Sequence, residues 1–148
     1  MIVIKKKQRK INVDTDRLKR HAEKMLKELG YADFDLGILL TTNADIHHYN
    51  QTYRGKDKPT DILSFPYHEL KPGQKIQAEE EDDKNLGDLI IAPSYVQDDL
   101  ERWEQSFDDR MDTLLAHGLA HLLGYDHETD EQFKEMQKVE KKLLKSIL

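Results

Sequence analysis

The sequence predicts an α+β fold, a single small domain in which a mixed sheet of about four strands is covered by about five helices. Three observations carry that expectation. Strand-like apolar runs and helical periodicities intermix without the strict alternation of a doubly wound parallel sheet. No internal repeat and no Ser/Pro/Gly-rich linker divides the 148 residues. A chain of that size hides about 68–70% of its unfolded surface on folding, enough for a core without staples. With no cysteine, a disulfide framework, a zinc ribbon and a thiol nucleophile are excluded, so any metal chemistry falls to His, Asp or Glu.

The elements follow in order. Ile2-Val3-Ile4 reads as a short strand. Asp14 caps a helix whose Leu18, Ala22, Met25, Leu26 and Leu29 share one face, with Gly30 as its stop. Phe34 to Leu40 is a second strand. A short helix begins at Asn43 or Asp45, passes through Tyr49 and Tyr53, and ends in the basic loop Arg54-Gly55-Lys56-Asp57-Lys58-Pro59. Ile62 to Pro66 is the third strand, and the polar stretch from about Tyr67 to Asn85 reads as a long exposed connection. Leu86 to Ala92 is the fourth strand. Pro93-Ser94 opens a helical stretch that Ser106-Phe107-Asp108-Asp109, similar to a capping box, divides into two helices, the second closed by Gly124. A last helix from about Asp130 aligns Phe133, Met136, Val139, Leu143 and Ile147.

Charge narrows the function further. The 23 Lys+Arg against 29 Asp+Glu give a formal net charge of −6, which argues against general charge-driven binding of nucleic acid. The distribution is polarised. Lys5, Lys6, Lys7, Arg9 and Lys10 cluster at the start, as a charged strand end or a patch that guides RNA, and Glu79 to Asp83 form an acidic run. That run reads as a solvated loop, with contact to a basic protein or repulsion of RNA as alternatives. No apolar run reaches the ~18–20 residues of a membrane span, and the opening residues reverse the order of a signal peptide, so a cytoplasmic protein is expected.

The chemistry concentrates in His117-Gly118-Leu119-Ala120-His121-Leu122-Leu123-Gly124-Tyr125-Asp126-His127. His117 and His121, four apart in a periodic helix, project from one face about a turn apart. Gly124 lets the chain turn sharply, and Tyr125-Asp126 bring His127 back toward the same point. Three neutral imidazoles leave a fourth tetrahedral position open, the ligand set of catalytic zinc. His21, His47, His48 and His68 lack such a pattern and read as surface or packing residues. The spacing also matches the metzincin signature H-E-x-x-H-x-x-G-x-x-H except at Gly118, where those proteases carry their general base. Met136 lies in a helix, not a Met-turn, and standard zincin proteolysis is not expected.

The same residues resemble the YbeY family of bacterial ribosomal-RNA maturation factors, described as single-strand-specific metal-dependent endoribonucleases. Its signature H-G-x-L-H-L-x-G-Y-D-H is matched with Ala120 as the one departure, at a position that is not a ligand. Asn50 to Pro66 is similar to the family's N-x-x-Y-R…T-D-V-L-S-F-P block with Ile62 for Val, Leu86 to Ile91 to its L-G-D-I-x-I strand, and the final helix has its M…E…L pattern. The resemblance implies one zinc ion on His117, His121 and His127, a functional arginine at Arg54, precursor ribosomal RNA as substrate in maturation of the 3′ end of 16S RNA and in ribosome quality control, and the small ribosomal subunit or its proteins as further partners. Zinc acidifies water and polarises a phosphoryl oxygen, which suits a phosphodiester. Arg54 can grip a phosphate by bidentate hydrogen bonds or stand as a solvated loop charge. For Asp61, Ser64 and Asp88, turn-fixing roles compete with functional ones. Asp126 has three roles open to it: orienting an imidazole, forming the turn, or acting as general base. The base itself is not identified. Two other functions compete: a metal-dependent hydrolase of another substrate, and a non-catalytic, zinc-stabilised ribosome-assembly factor.

Overall fold

A computed structural model describes all of residues 1–148. The order is β1 (Ile2–Lys6), α1 (Thr15–Leu29), β2 (Asp35–Leu40), α2 (Asn43–Arg54), β3 (Ile62–Pro66), β4 (Asn85–Ile91), α3 (Pro93–Asp98), α4 (Leu100–Trp103), α5 (Phe107–Leu122) and α6 (Asp130–Ser146). Local chemistry sets most boundaries. Asp14, Thr42, Ser106 and Thr129 each accept a backbone N–H in the first turn of α1, α2, α5 and α6, satisfying donors that a helix start leaves free. Thr42, rather than Asn43 or Asp45, is thus the cap of α2.

The sheet order is β1-β2-β4-β3, with β1, β2 and β4 parallel and β3 antiparallel on the edge. Alternation along the strands separates two faces. Leu36, Ile38 and Leu40 of β2, Leu89 and Ile91 of β4 and Ile62 of β3 enter the main core of 23 buried residues with α1, α5 and α6. Leu63 and Ile90 point the other way and meet Ile46 of α2 and Ala92 in a second cluster of four. Helix α5 lies across β3 and β4 on the main-core side, which brings its open flank to the sheet edge where β3 ends the fold.

Three details depart from expectation. There are six helices, because the stretch opened by Pro93 breaks at Asp99 into α3 and α4, and α4 stops at Glu104, the only non-glycine residue with positive φ, at 53°. Strand β1 extends to Lys6 because its backbone pairs with β2 as far as Leu40. The 67–85 connection is not simply exposed. Leu70, Ile76 and Ala78 pack on the main core, and the Tyr31 hydroxyl accepts the Ile76 N–H at 3.2 Å. The acidic run does stay on the surface, folded into one 3-10 turn at Glu81–Asp83. No helix is long and apolar enough to cross a membrane.

Candidate metal centre and its cleft

Helix α5 carries His117 and His121 on its half-buried flank and seats Gly118 against the sheet. A Cβ at Gly118 would stand 2.8 Å from a Leu89 methyl and 2.9 Å from the end of Ile62, closer than carbon atoms pack. A glutamate there would point into the sheet, so the position that bears a protease's base is closed by packing. Beyond the helix, Gly124 turns the chain at φ 93°, and any Cβ would run into the Leu70 carbonyl. Asp126 Oδ1 accepts the His127 N–H at 2.8 Å, which is the turn-forming role. One ring nitrogen from each of His117, His121 and His127 then falls within 4.8 Å of the others.

Hydrogen-bond partners fix which nitrogens are free. His121 Nδ1 lies 2.9 Å from the Tyr125 carbonyl oxygen, which only accepts, so Nδ1 carries the proton and Nε2 a lone pair. His117 Nδ1 lies 2.8 Å from Glu140 Oε1 on α6, and an ionised carboxylate imposes the same tautomer. The two Nε2 atoms stand 3.1 Å apart. Two lone pairs at that distance repel unless a cation lies between them, so the donor set fits a metal ion that takes neutral imidazole. Burial, with the neighbouring His117 second, holds His121 below the ordinary imidazole pKa, favouring the neutral form a metal needs.

The histidines line a cleft of about 970 Å³ that also holds Arg54 and Lys56. Arg54 ends α2, and the loop after it is tied down from within the helix: buried Asn50 donates from Nδ2 to the Lys58 carbonyl at 2.9 Å, while its backbone carbonyl accepts the Lys56 N–H at 3.3 Å. Arg54, Lys56 and Lys58 are left exposed. Asp61 accepts the Ile62 N–H at 2.8 Å and pairs with Arg110 at 3.3 Å. Burial lowers the Arg110 pKa, and Asp61 opposes that shift. Ser64 lines the cleft half-buried, whereas Asp88 lies on the other face of the sheet, in a separate depression with Tyr49, Tyr53 and Phe65. Of the other histidines, His21 pairs with Asp112, His47 with Asp57 and His68 with the Asp83 carbonyl, while His48 is exposed.

Sequence reasoning gave no functional role to Glu140, Arg110, Trp103 or Phe133, all of which line this cleft, and it aligned Phe133 with the apolar face of α6 although the side chain is exposed. Glu140 left one local trace, since it follows the core residue Met136 by four positions and so sits at the edge of the buried stripe of α6.

Comparison with known proteins agrees with this architecture. The family profile described as Endoribonuclease YbeY matches residues 3–148. A human protein named Endoribonuclease YbeY is 37% identical over 147 residues, 99% of this chain and 87% of that one. Proteins of the same name from Aquifex aeolicus and Bacillus subtilis are 35% and 39% identical, covering 92% and 74% of this chain and 86% and 70% of theirs. The solution structure of a Thermotoga maritima protein superposes with a TM-score of 0.58 at 24% identity over 98% of this chain and 90% of that one, which shows a shared fold. With a profile match that leaves out only the first two residues and relatives above 30% identity along most of both chains, this chain belongs to the YbeY endoribonuclease family.

Proposed function

We propose that residues 1–148 act as one metal-dependent hydrolase domain that cuts phosphodiester bonds in unpaired RNA, with one zinc ion on His117, His121 and His127. The carrying observation is the convergence of three imidazoles in the cleft that also holds Arg54. Zinc there supplies a Lewis acid for a phosphoryl oxygen and lowers the pKa of water. The chain's own residues do the rest. Glu140 and the Tyr125 carbonyl hold two imidazoles in the tautomer that turns Nε2 toward the site. Arg54, at the end of α2, grips the scissile or a neighbouring phosphate through its planar fork. Gly118, packed on the sheet, leaves no protease-type base, which favours RNA over peptide as substrate.

In the cell, the family and this chemistry support action on precursor ribosomal RNA at the 3′ end of the small-subunit RNA and in ribosome quality control, in the cytoplasm, in contact with the small subunit or its proteins. The test is cleavage of a labelled single-stranded RNA spanning that end, by zinc-loaded protein and by the same preparation after chelation. Cleavage by the loaded wild type alone is expected, with His121→Ala inactive and Arg54→Ala impaired at normal zinc content. Equal cleavage by metal-free His121→Ala protein would sink the reading.

A further inference from the structure

In the cleft that holds Arg54 the chain builds a feature the metal chemistry does not use. Trp103, at the end of α4, is 40% exposed although it is the only tryptophan in the chain. The Arg110 guanidinium, itself buried, lies 3.7 Å from the ring centroid and is held by Asp61 at 3.3 Å. The indole Nε1–H donates to Asp99 Oδ2 at 3.1 Å, so both the plane and the rotation of the ring are set. Directly after it, Glu104 takes the left-handed conformation, which a non-glycine residue adopts only when its surroundings impose it. Exposed Arg102 lies 5.2 Å from the same ring and approaches Asp99 only at 4.0 Å, leaving it free to swing aside. Phe133, 52% exposed, lines the same cleft.

Arg110 stacks on the Trp103 ring, and the indole still keeps 40% of its surface in solvent, within reach of a ligand in the cleft. A rigid, half-exposed indole backed by a buried cation, in a cleft with Arg54 and Lys56, has the parts of a stacking platform for a nucleobase: an aromatic face for the base and positive charge for the backbone. We propose that Trp103 is the base-stacking subsite of this cleft and selects unpaired over paired RNA. The inference rests on the RNA reading above and adds the residue that would read the strand's state, because a base inside a duplex has no free face to offer. Position gives a further consequence. Arg110 and His117 are seven residues apart on α5, about 10 Å at 1.5 Å per residue, so the stacking face and the histidines are set apart along one helix and would meet different nucleotides of a bound strand.

Trp103 is its own reporter. Zinc-loaded protein is titrated with a 2′-O-methyl single-stranded oligonucleotide whose integrity is checked on a gel after the titration, the same strand annealed to its complement, and an abasic oligomer of equal charge, reading tryptophan fluorescence and, from labelled oligomers, anisotropy. Quenching by the single strand alone is expected, with Trp103→Leu weakening single-strand affinity about 5- to 100-fold and Trp103→Phe recovering most of it. If Trp103→Leu is misfolded by circular dichroism, the wild-type quench and the Trp103→Phe affinity still decide. Unchanged fluorescence on an oligomer that anisotropy shows to be bound, or equal quenching by the duplex, would overturn the proposal. Because the readout is binding, it separates from the RNA-cleavage reading: a chain that cuts RNA with an indifferent Trp103 refutes only the subsite. Loss of anisotropy binding altogether refutes both.

Discussion

Two imidazole–carboxylate pairs flank α5, each 2.8 Å long, and they do different things. His21 on α1 meets Asp112, whose second oxygen is taken by Arg17 at 2.6 Å. His117 meets Glu140, and its far nitrogen faces His121 3.1 Å away. In the first pair the buried carboxylate is saturated by two partners and ties α1 to α5. In the second, the carboxylate fixes one end of a ring whose other end stays unsatisfied and converges on two more. A histidine beside an acid is thus no sign of a site by itself; an oriented lone pair without a partner is.

The comparison breaks first on activity. If the three histidines hold a metal on which the chemistry depends, as proposed, His117→Ala should lower RNA cleavage about a hundredfold or more, since it removes one of three ligands. His21→Ala should leave cleavage per folded molecule within about threefold, its loss showing instead as a lower melting temperature. Steady-state kinetics on both variants, each scaled to its folded fraction, is the measurement. A His21 variant as dead as the His117 variant would erase the distinction.

The carboxylates sharpen it. Glu140→Gln keeps the shape of the side chain but weakens its hold on the His117 tautomer, and should cost about 10- to 100-fold in metal affinity, read by competition with a chromophoric chelator. Asp112→Asn should leave metal affinity unchanged and cost about 3 kcal/mol of stability, the low end for breaking a buried pair because the Arg17 side chain keeps 21% exposure. Denaturant unfolding at neutral pH checks the second value. The two substitutions are chemically alike, so opposite readouts come only from what each acid's histidine faces.

How far these regions are legible in the sequence follows from how local their causes are. His117, His121 and His127 stand out because helical spacing and one glycine bring them together within eleven residues. The caps at Asp14 and Ser106 are local in the same way, and their helices begin where expected. Glu140 reaches His117 from across the α5–α6 contact, and Trp103 meets Arg110 only because Asp99 breaks the preceding helix and Glu104 ends α4. No spacing rule carries such encounters, since they depend on how whole helices pack. The strand order is hidden for the same reason: β3 precedes β4 in the chain, but lies at the edge because β2 pairs with β4.

Gly118 tests whether the quiet side of the metal helix is as demanding as its reactive side. A Cβ there meets Leu89 and Ile62 below 3 Å, but both contacts are the ends of flexible side chains. Gly118→Ala should therefore cost about 1–3 kcal/mol of stability from overpacking, less any helix-propensity gain, while zinc affinity stays within a few-fold. A large loss of zinc affinity with unchanged stability would mean that α5 shifts away from the sheet and carries its histidines with it, so that its two sides are coupled.

The smallest effect separates the two regions by pH. Burial lowers the folded pKa of His121, so near the ordinary imidazole value of ~6.5 the unfolded chain binds a proton more readily than the folded one. Unfolding is then linked to proton uptake. The stability contributed by keeping His121 neutral is complete above the unfolded pKa and is lost as pH falls through it toward the lower folded value. Metal-free protein should therefore weaken on acidification from pH 7.5 to 5.5 more steeply than metal-free His121→Gln, in which nothing at that position titrates. Urea unfolding of both proteins at the two pH values measures the difference. Identical slopes would show that the metal-free cleft admits enough water to solvate an imidazolium, and that His121 owes its neutrality to a bound metal, not to the fold.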